Sequence, residues 1–423
     1  MRALFTCASL ASASGAMWGV SSDSSLISID MVNGKFSAKT KSYPDILEAQ
    51  ELSAIDTKRS VYYTMGVNQT SNAVELFAWS IGSGYHIKSV KLPFVSSALV
   101  GLGQALNVDP EEGTIIVMGH DPTHAGHHAI YKVDPTTFNT TFVADVGGDM
   151  HSDLLGCSTG YDYTEKVAYV SIAYNDSSPK PAVKFAAVSI TTGKVDVLDK
   201  SLMMAGLAFD GQTNRVYGTS VTVAATGEAV SPWVNGVVAY RGRRGADGRR
   251  HGTMPSYDGT GVIRGGGTNG YTRSLAYFAT KSPTSLTTVA PLALTGAVGD
   301  LHTLDVSARV HYTLLLGLPN MSNPYLPTDF CSAHNEPCPT GASCCCEPPC
   351  TDAAKYGYCY AVEDCGKIPP DGDPLKVDAF LYGVHLDTGK LASKTPICSL
   401  EPSNATVNQP CPWSVESAGA EYM

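Results

Sequence analysis

The chain has 423 residues, 43% of them hydrophobic and only 16% charged, with 41 glycines, 25 prolines and a formal net charge of −10. A core of ample size follows, made of strands and turns rather than long amphipathic helices. The negative balance argues against nucleic acid as a partner, because phosphate binding needs distributed positive charge. No stretch reaches the roughly 18–20 consecutive apolar residues of a membrane-spanning helix.

Met1-Arg2 followed by Ala3 to Ala11 has the makings of a short secretory signal, with Ala11-Ser12-Ala13 as the cleavage point. Residues 1–13 are assigned to it, and the protein is expected to be secreted. The alternative is an ordinary strand over residues 3–11. Five sequons agree with an extracellular glycoprotein: Asn68, Asn139, Asn175, Asn320 and Asn404.

From there a unit recurs. An apolar run closes on aspartate, a polar turn follows, and a β-rich run begins: Leu207-Ala208-Phe209-Asp210 leads to Val216-Tyr217. The copies place aspartates at 56, 109, 162 and 210, steps of 53, 53 and 48, with another at Asp305. A weaker copy around Asp258 divides the last interval into 48 and 47. Later in each unit a second apolar run ends in a tight turn such as Asn33-Gly34-Lys35, Thr192-Gly193-Lys194 or Thr388-Gly389-Lys390. Asn-Gly and Thr-Gly supply the positive φ that hairpins require. Four short strands, a to d, per unit of about 50 residues make a propeller blade. The recurring aspartates are read as caps of the a–b turns rather than as catalytic groups.

The expected fold is therefore all-β, a β-propeller of seven four-stranded blades over residues 14–316 and 377–423. Residues 17–42 hold strands b, c and d of the first blade. Its strand a is expected from residues 411–417, so both chain ends close the ring and leave no free edge. Residues 241–273, rich in Arg and Gly, are the uncertain stretch. They form a degenerate sixth blade, or a disordered insert that leaves six blades, or text from a retained intron or shifted frame. The runs Leu-x-x-Asp…Val-Tyr and Thr-Gly-Lys resemble the quinoprotein-like, YVTN-type propellers. That resemblance implies a fold for most of the chain and no activity, because such folds host many.

The last blade is interrupted over residues 317–376. Cys331, Cys338, Cys344, Cys345, Cys346, Cys350, Cys359 and Cys365 crowd into 35 residues. That density suits an oxidising compartment and a disulfide framework whose connectivity spacing alone leaves open. Cys338-Pro339-Thr340-Gly341-Ala342-Ser343-Cys344-Cys345 resembles half of a granulin/epithelin module. Zinc is disfavoured, since no Cys-x2-Cys pair exists and His334 is the one histidine there. Cys398 and Cys411 are expected to bridge, pinning the closing strand.

Variable b–c loops on a regular frame are the expected binding surface. They are Asn68–Asn72, His120–His128, Asn175–Pro179, Val221–Asn235 and the cysteine-rich insert. Glu51, Gln104 and Asp300, at strand-a starts, could present oxygen ligands to Ca²⁺ at the channel mouth. His120, His124, His127 and His128 lie in one loop, where a transition metal is the alternative use. No cofactor beyond such an ion is expected. No serine elbow, catalytic Cys/His pair or zincin motif is present, and Gly265-x-Gly267-x-x-Gly270 opens no helix. The reading is a secreted, non-enzymatic module that binds an extracellular protein or glycan. A metal-dependent hydrolase or lactonase-like enzyme is the alternative.

Overall fold

The computed structural model describes residues 17–21, 25–31, 33–38, 46–47, 53–68, 70–94, 105–124, 127–147, 159–174, 182–202, 204–223, 229–230, 238–244, 250–257, 271–291, 297–316, 329–331, 342–345, 357–361, 378–399 and 414–417. They form a β-propeller of six four-stranded blades. Blade 1 joins Ser414–Ser417 to Met17–Val20, Leu26–Ile29 and Phe36–Ala38. Blade 2 spans residues 46–91, blade 3 105–147, blade 4 159–198, blade 5 205–291 and blade 6 297–399.

The ring closes as expected from both ends of the chain. Met17, Trp18, Gly19 and Val20 pair antiparallel with Ser417, Glu416, Val415 and Ser414. The six strands a touch in cyclic order: Ser414–Ser417, Ser53–Asp56, Ala105–Val108, Thr159–Asp162, Ala205–Asp210, Ala297–Asp305 and back to Ser414–Ser417. Because strand side chains alternate between the two sheet faces, each blade feeds two joints. Tyr62, Phe77 and Trp79 of blade 2 pack with Trp18, Val20 and Leu26 of blade 1. On the other face Tyr63, Met65 and Val67 pack with Val108, Ile115 and Val117 of blade 3. Every joint among the described residues holds such a cluster.

Seven blades is thus corrected to six. In blade 5, strand b (Arg215–Val223) pairs directly with strand c (Tyr271–Ala279), from Arg215 opposite Ala279 to Val223 opposite Tyr271. The stretch that mimicked a sixth blade is an insertion between these two strands. Val238–Arg244 and Arg250–Tyr257 form a two-stranded hairpin that joins no blade sheet. An insertion close to one blade in length preserved the apparent period without adding a strand a to the ring.

The a–b turns repeat one device. Asp56, Asp109, Asp162, Asp210 and Asp305 are all buried, and each accepts a backbone N–H of the following turn at 2.8–3.0 Å. Four residues after each aspartate the backbone enters the left-handed region, at Ser60, Gly113, Lys166, Asn214 and Arg309. Five c–d turns share a second device. The N–H of Gly34, Gly84, Phe138, Gly193 or Gly389 donates to the carbonyl four residues earlier, again at positive φ. The turns at Gly34, Gly193 and Gly389 seat against strand d of the preceding blade. A Cβ at Gly193 would strike the Val143 carbonyl, and one at Gly34 the Pro396 carbonyl.

The buried carboxylates are neutralised in different ways. Lys166 Nζ and Tyr161 Oη, both of blade 4, donate to Asp109 Oδ2 of blade 3 at 2.6 and 2.8 Å. Burial pushes the Asp109 carboxyl up, but the bonds from Lys166, the Glu112 backbone and Tyr161 outweigh it and hold the group below the usual range. Arg309 of blade 6 reaches Asp210 of blade 5 at 2.9 Å and also clasps Asp387 of its own blade. Asp56 is met by Arg59 of its own turn at 2.8 Å. Gly113 of blade 3 leaves room for that guanidinium, which a Cβ there would strike.

Candidate functional site

Strand b runs from the a–b turn to the opposite face of the ring, so all b–c connections emerge there. Two of them are large and belong to neighbouring blades. Blade 5 carries the hairpin of residues 238–257, and blade 6 carries a three-stranded sheet of Asp329–Cys331, Gly357–Ala361 and Ala342–Cys345 in that order. Strand Arg250–Tyr257 of the hairpin contacts strand Asp329–Cys331 of the insert. The two insertions therefore meet as one lobe over a single sector of the ring.

In the cysteine-rich sheet the register sets Cys344 opposite Cys359 and Cys331 opposite Gly357. Cys345 lies opposite Tyr358. Cys338, Cys346, Cys350 and Cys365 lie outside the described residues. Cys398, on strand d of blade 6, is fully buried and disulfide-bonded. Cys411 lies outside the described residues.

The histidine-rich b–c connection of blade 3 is a short turn fixed by Asp121. Its Oδ1 accepts the backbone N–H and the hydroxyl of Thr123, both at 2.7 Å. Its Oδ2 accepts the Tyr131 hydroxyl. Burial alone would raise the Asp121 carboxyl, but the bonds from Tyr131 and Thr123, with His124 nearby, bring it below its ordinary value. Burial and the bond to Asp121 push the Tyr131 phenol up.

The strand pleat divides the four histidines. His120 pairs with His128 across the ladder, and Asp121 with His127. His120 and His128 are buried, their rings edge to face at 5.7 Å. His124 stacks on the half-exposed Phe142 at 4.0 Å, and His127 Nδ1 lies 3.0 Å from Asp145. Among the described residues, no three His, Cys, Asp or Glu side chains are gathered where one metal ion could be held. The Asp121–Tyr131 lock and the His124–Phe142 stack were not foreseen. Tyr131 and Phe142 sit opposite one another on strands c and d, a pairing that only the strand register reveals.

Of the residues expected as oxygen ligands, Asp300 lies within strand a of blade 6. Glu51 and Gln104 lie outside the described residues. Among the sequons Asn139 is exposed, immediately before strand d of blade 3. Asn68 Oδ1 accepts the N–H groups of Thr70 and Ser71 at 2.9 and 3.1 Å. Asn175, Asn320 and Asn404 lie outside the described residues. No helix among the described residues is long and apolar enough to cross a membrane.

No protein-family model matches the sequence, and no curated protein matches it. Solved structures with a similar trace include a chain of a nidogen/laminin complex, at 8% identity and TM-score 0.48, covering 96% of this chain and 98% of that one. A protein described as TolB from Agrobacterium tumefaciens has 8% identity and TM-score 0.43, covering 94% and 92%. An oligogalacturonate lyase in complex with manganese has 9% identity and TM-score 0.37, covering 90% and 84%. None of these likenesses extends to a function.

Proposed function

We propose that this chain is a secreted, non-enzymatic binding module that uses the propeller as a frame and the lobe of blades 5 and 6 as its contact surface. The observation that carries this reading is the meeting of the two b–c insertions. The ring does not need either one, because strands b and c pair directly beneath them. Sequence added to a complete frame, on one face and in one sector, is the pattern of a recognition surface. The cysteine density of residues 331–365, the disulfide at Cys398 and the exposed sequon at Asn139 support an extracellular setting. The partner is an extracellular protein or glycan, and the cysteine-rich part of the lobe has the granulin-like half-module as its template.

The test is capture of binding partners from an extracellular-matrix extract by the full chain and by a chain lacking residues 325–372. Loss of the captured proteins on deletion, with the ring still folded, is expected. Capture that persists unchanged would place the contact surface elsewhere.

A further inference from the structure

Each blade ends on strand d, whose outer side pairs with no further strand among the described residues. Such an edge invites another chain to pair with it unless it is short, charged or broken by proline. Five of the six edges have one of these guards. Strands d of blades 1, 4 and 5 are three, four and five residues long. That of blade 2 carries Lys88 and Lys91, and that of blade 6 carries Lys394 and Pro396. Strand d of blade 3, Thr140–Gly147, is eight residues long and holds no lysine, arginine or proline. Its one acid, Asp145, faces His127 at 3.0 Å. The exposed large side chains repeat the contrast. Ile87, Val197 and Leu391 lie on strands d, and each adjoins an exposed charged residue: Lys88, Asp196 and Lys390. Phe142 lies between Thr141 and Val143. The c–d turn of blade 4 comes down on the Val143 carbonyl, which leaves Thr140, Thr141 and Phe142 as the exposed run of this edge.

Directly before that run stands Asn139, with Thr141 two positions on as the sequon requires. Its backbone is held in place: the carbonyl accepts the Asp134 N–H at 3.0 Å, and the N–H donates to Thr137 Oγ1 at 3.3 Å. Its side chain is exposed. The other described sequon asparagine, Asn68, is half-buried between its ladder partners Ile46 and Ala73, its carboxamide oxygen turned back onto Thr70 and Ser71. We infer that Asn139 is N-glycosylated and that its glycan covers the outer edge of blade 3. This rests on the extracellular reading above, because the modification belongs to secreted chains. The donor is a lipid-linked oligosaccharyl pyrophosphate. A bond forms from Asn139 Nδ2 to the sugar C1, the bond from C1 to the pyrophosphate oxygen breaks, and one Nδ2 proton is released; nothing is oxidised or reduced. A bulky, hydrated glycan at this position keeps a second chain off Thr140 to Phe142, the task that lysines perform on the other long edges.

The test is production of the full chain in secreting eukaryotic cells, with glycopeptide mapping and size-exclusion chromatography of the secreted protein. Asn139 is expected to be occupied. Asn139→Gln should lose one glycan and shift the protein from the parent's elution volume to larger species. Endoglycosidase treatment of the folded parent should give the same shift, with no folding step involved. Thr141→Ser keeps the sequon and should keep both the glycan and the parent's size. Adding Thr140→Lys to Asn139→Gln puts a charge on the edge, as Lys88 does in blade 2, and should return the parent's size. Glycan-free protein that keeps the parent's size, or association that Thr140→Lys does not relieve, would overturn the inference. A chain that is exported but unmodified at Asn139 refutes the glycan alone. A chain that never leaves the cell refutes the extracellular reading along with it.

Discussion

The two faces of the ring are built by different rules. On the turn face, one aspartate cap and one left-handed residue four positions later recur in five blades. On the opposite face the b–c connections run from the short locked turn of blade 3 to the insertions of blades 5 and 6. The difference separates what holds the ring from what is free to vary. The turn face brings charged groups into the joints, where Asp56, Asp109 and Asp210 each meet a cation. The insertion face adds chain beyond strands that already pair, so length and composition there are weakly constrained.

Substitutions on the turn face should therefore act on stability, and the joint between blades 3 and 4 should respond most. Lys166→Met keeps the side-chain stem but removes the charge, leaving Asp109 buried with the Tyr161 hydroxyl and turn amides. A loss of about 3 kcal/mol is expected in urea denaturation. Adding Asp109→Asn to that variant should restore most of it. A single variant as stable as the parent would show that the ionic contact is incidental.

The closure between blades 6 and 1 should be next. Cys398 is disulfide-bonded, and Cys411 is its proposed partner, closing a short loop onto the four-residue strand Ser414–Ser417. By loop entropy such a bridge contributes about 3 kcal/mol at most, reduced by any native strain. Cys398→Ala should lower the urea midpoint accordingly. Peptide mapping that joins Cys398 to a different cysteine would refute the pairing.

A finer contrast lies between two neighbouring joints. Tyr161 donates to Asp109, but the matching residue one blade later is Phe209, and the position matching Lys166 is Asn214. Among the described residues Asp162 Oδ2 is buried with no hydrogen-bond partner. Phe209 instead packs edge to face with Tyr163 at 5.2 Å. Tyr161→Phe should cost about 1.5–3 kcal/mol, the value of a hydrogen bond to a charged group. Phe209→Tyr should gain about 1 kcal/mol if its hydroxyl reaches Asp162. Equal effects of the same sign would erase the distinction between an ionic and an aromatic joint.

The smallest effect is on pH dependence. The folded pKa of Asp109 is lowered, so its contribution is present above the unfolded value of about 3.9 and is lost as pH falls through the folded one. The folded pKa of Lys166 is raised, because its bonds to Asp109 outweigh burial. Its contribution is therefore present below about 10.4 and is lost as pH rises through the folded value. Urea midpoints measured from pH 2 to 7 should fall below about pH 4, and less steeply in Lys166→Met. Identical slopes in the two proteins would contradict this account of the joint.

Much of the ring was legible in the chain itself. The Leu-x-x-Asp runs, the glycine turns and the apolar alternation are local signals, and closure by the C-terminal strand followed from a missing strand a. Blade number was not legible, because Asp258 falls at blade spacing while strand order depends on pairing across residues 224–270. The partner of each buried aspartate also stayed hidden. Lys166, Arg309 and Arg59 look alike as turn residues, and only the packing of adjacent blades decides which carboxylate each one meets. The histidines of blade 3 are close in sequence, but alternation along the two strands sends them to opposite faces of the sheet.

The central claim is that the six-bladed ring is complete without the cysteine-rich insertion, and thermal unfolding of the chain lacking residues 325–372 tests it most directly. Strands Val310–Leu316 and Asp378–His385 should pair across a short loop, giving one cooperative transition within a few degrees of the parent. A large drop in midpoint, or loss of the cooperative transition, would show that the insertion is part of the frame.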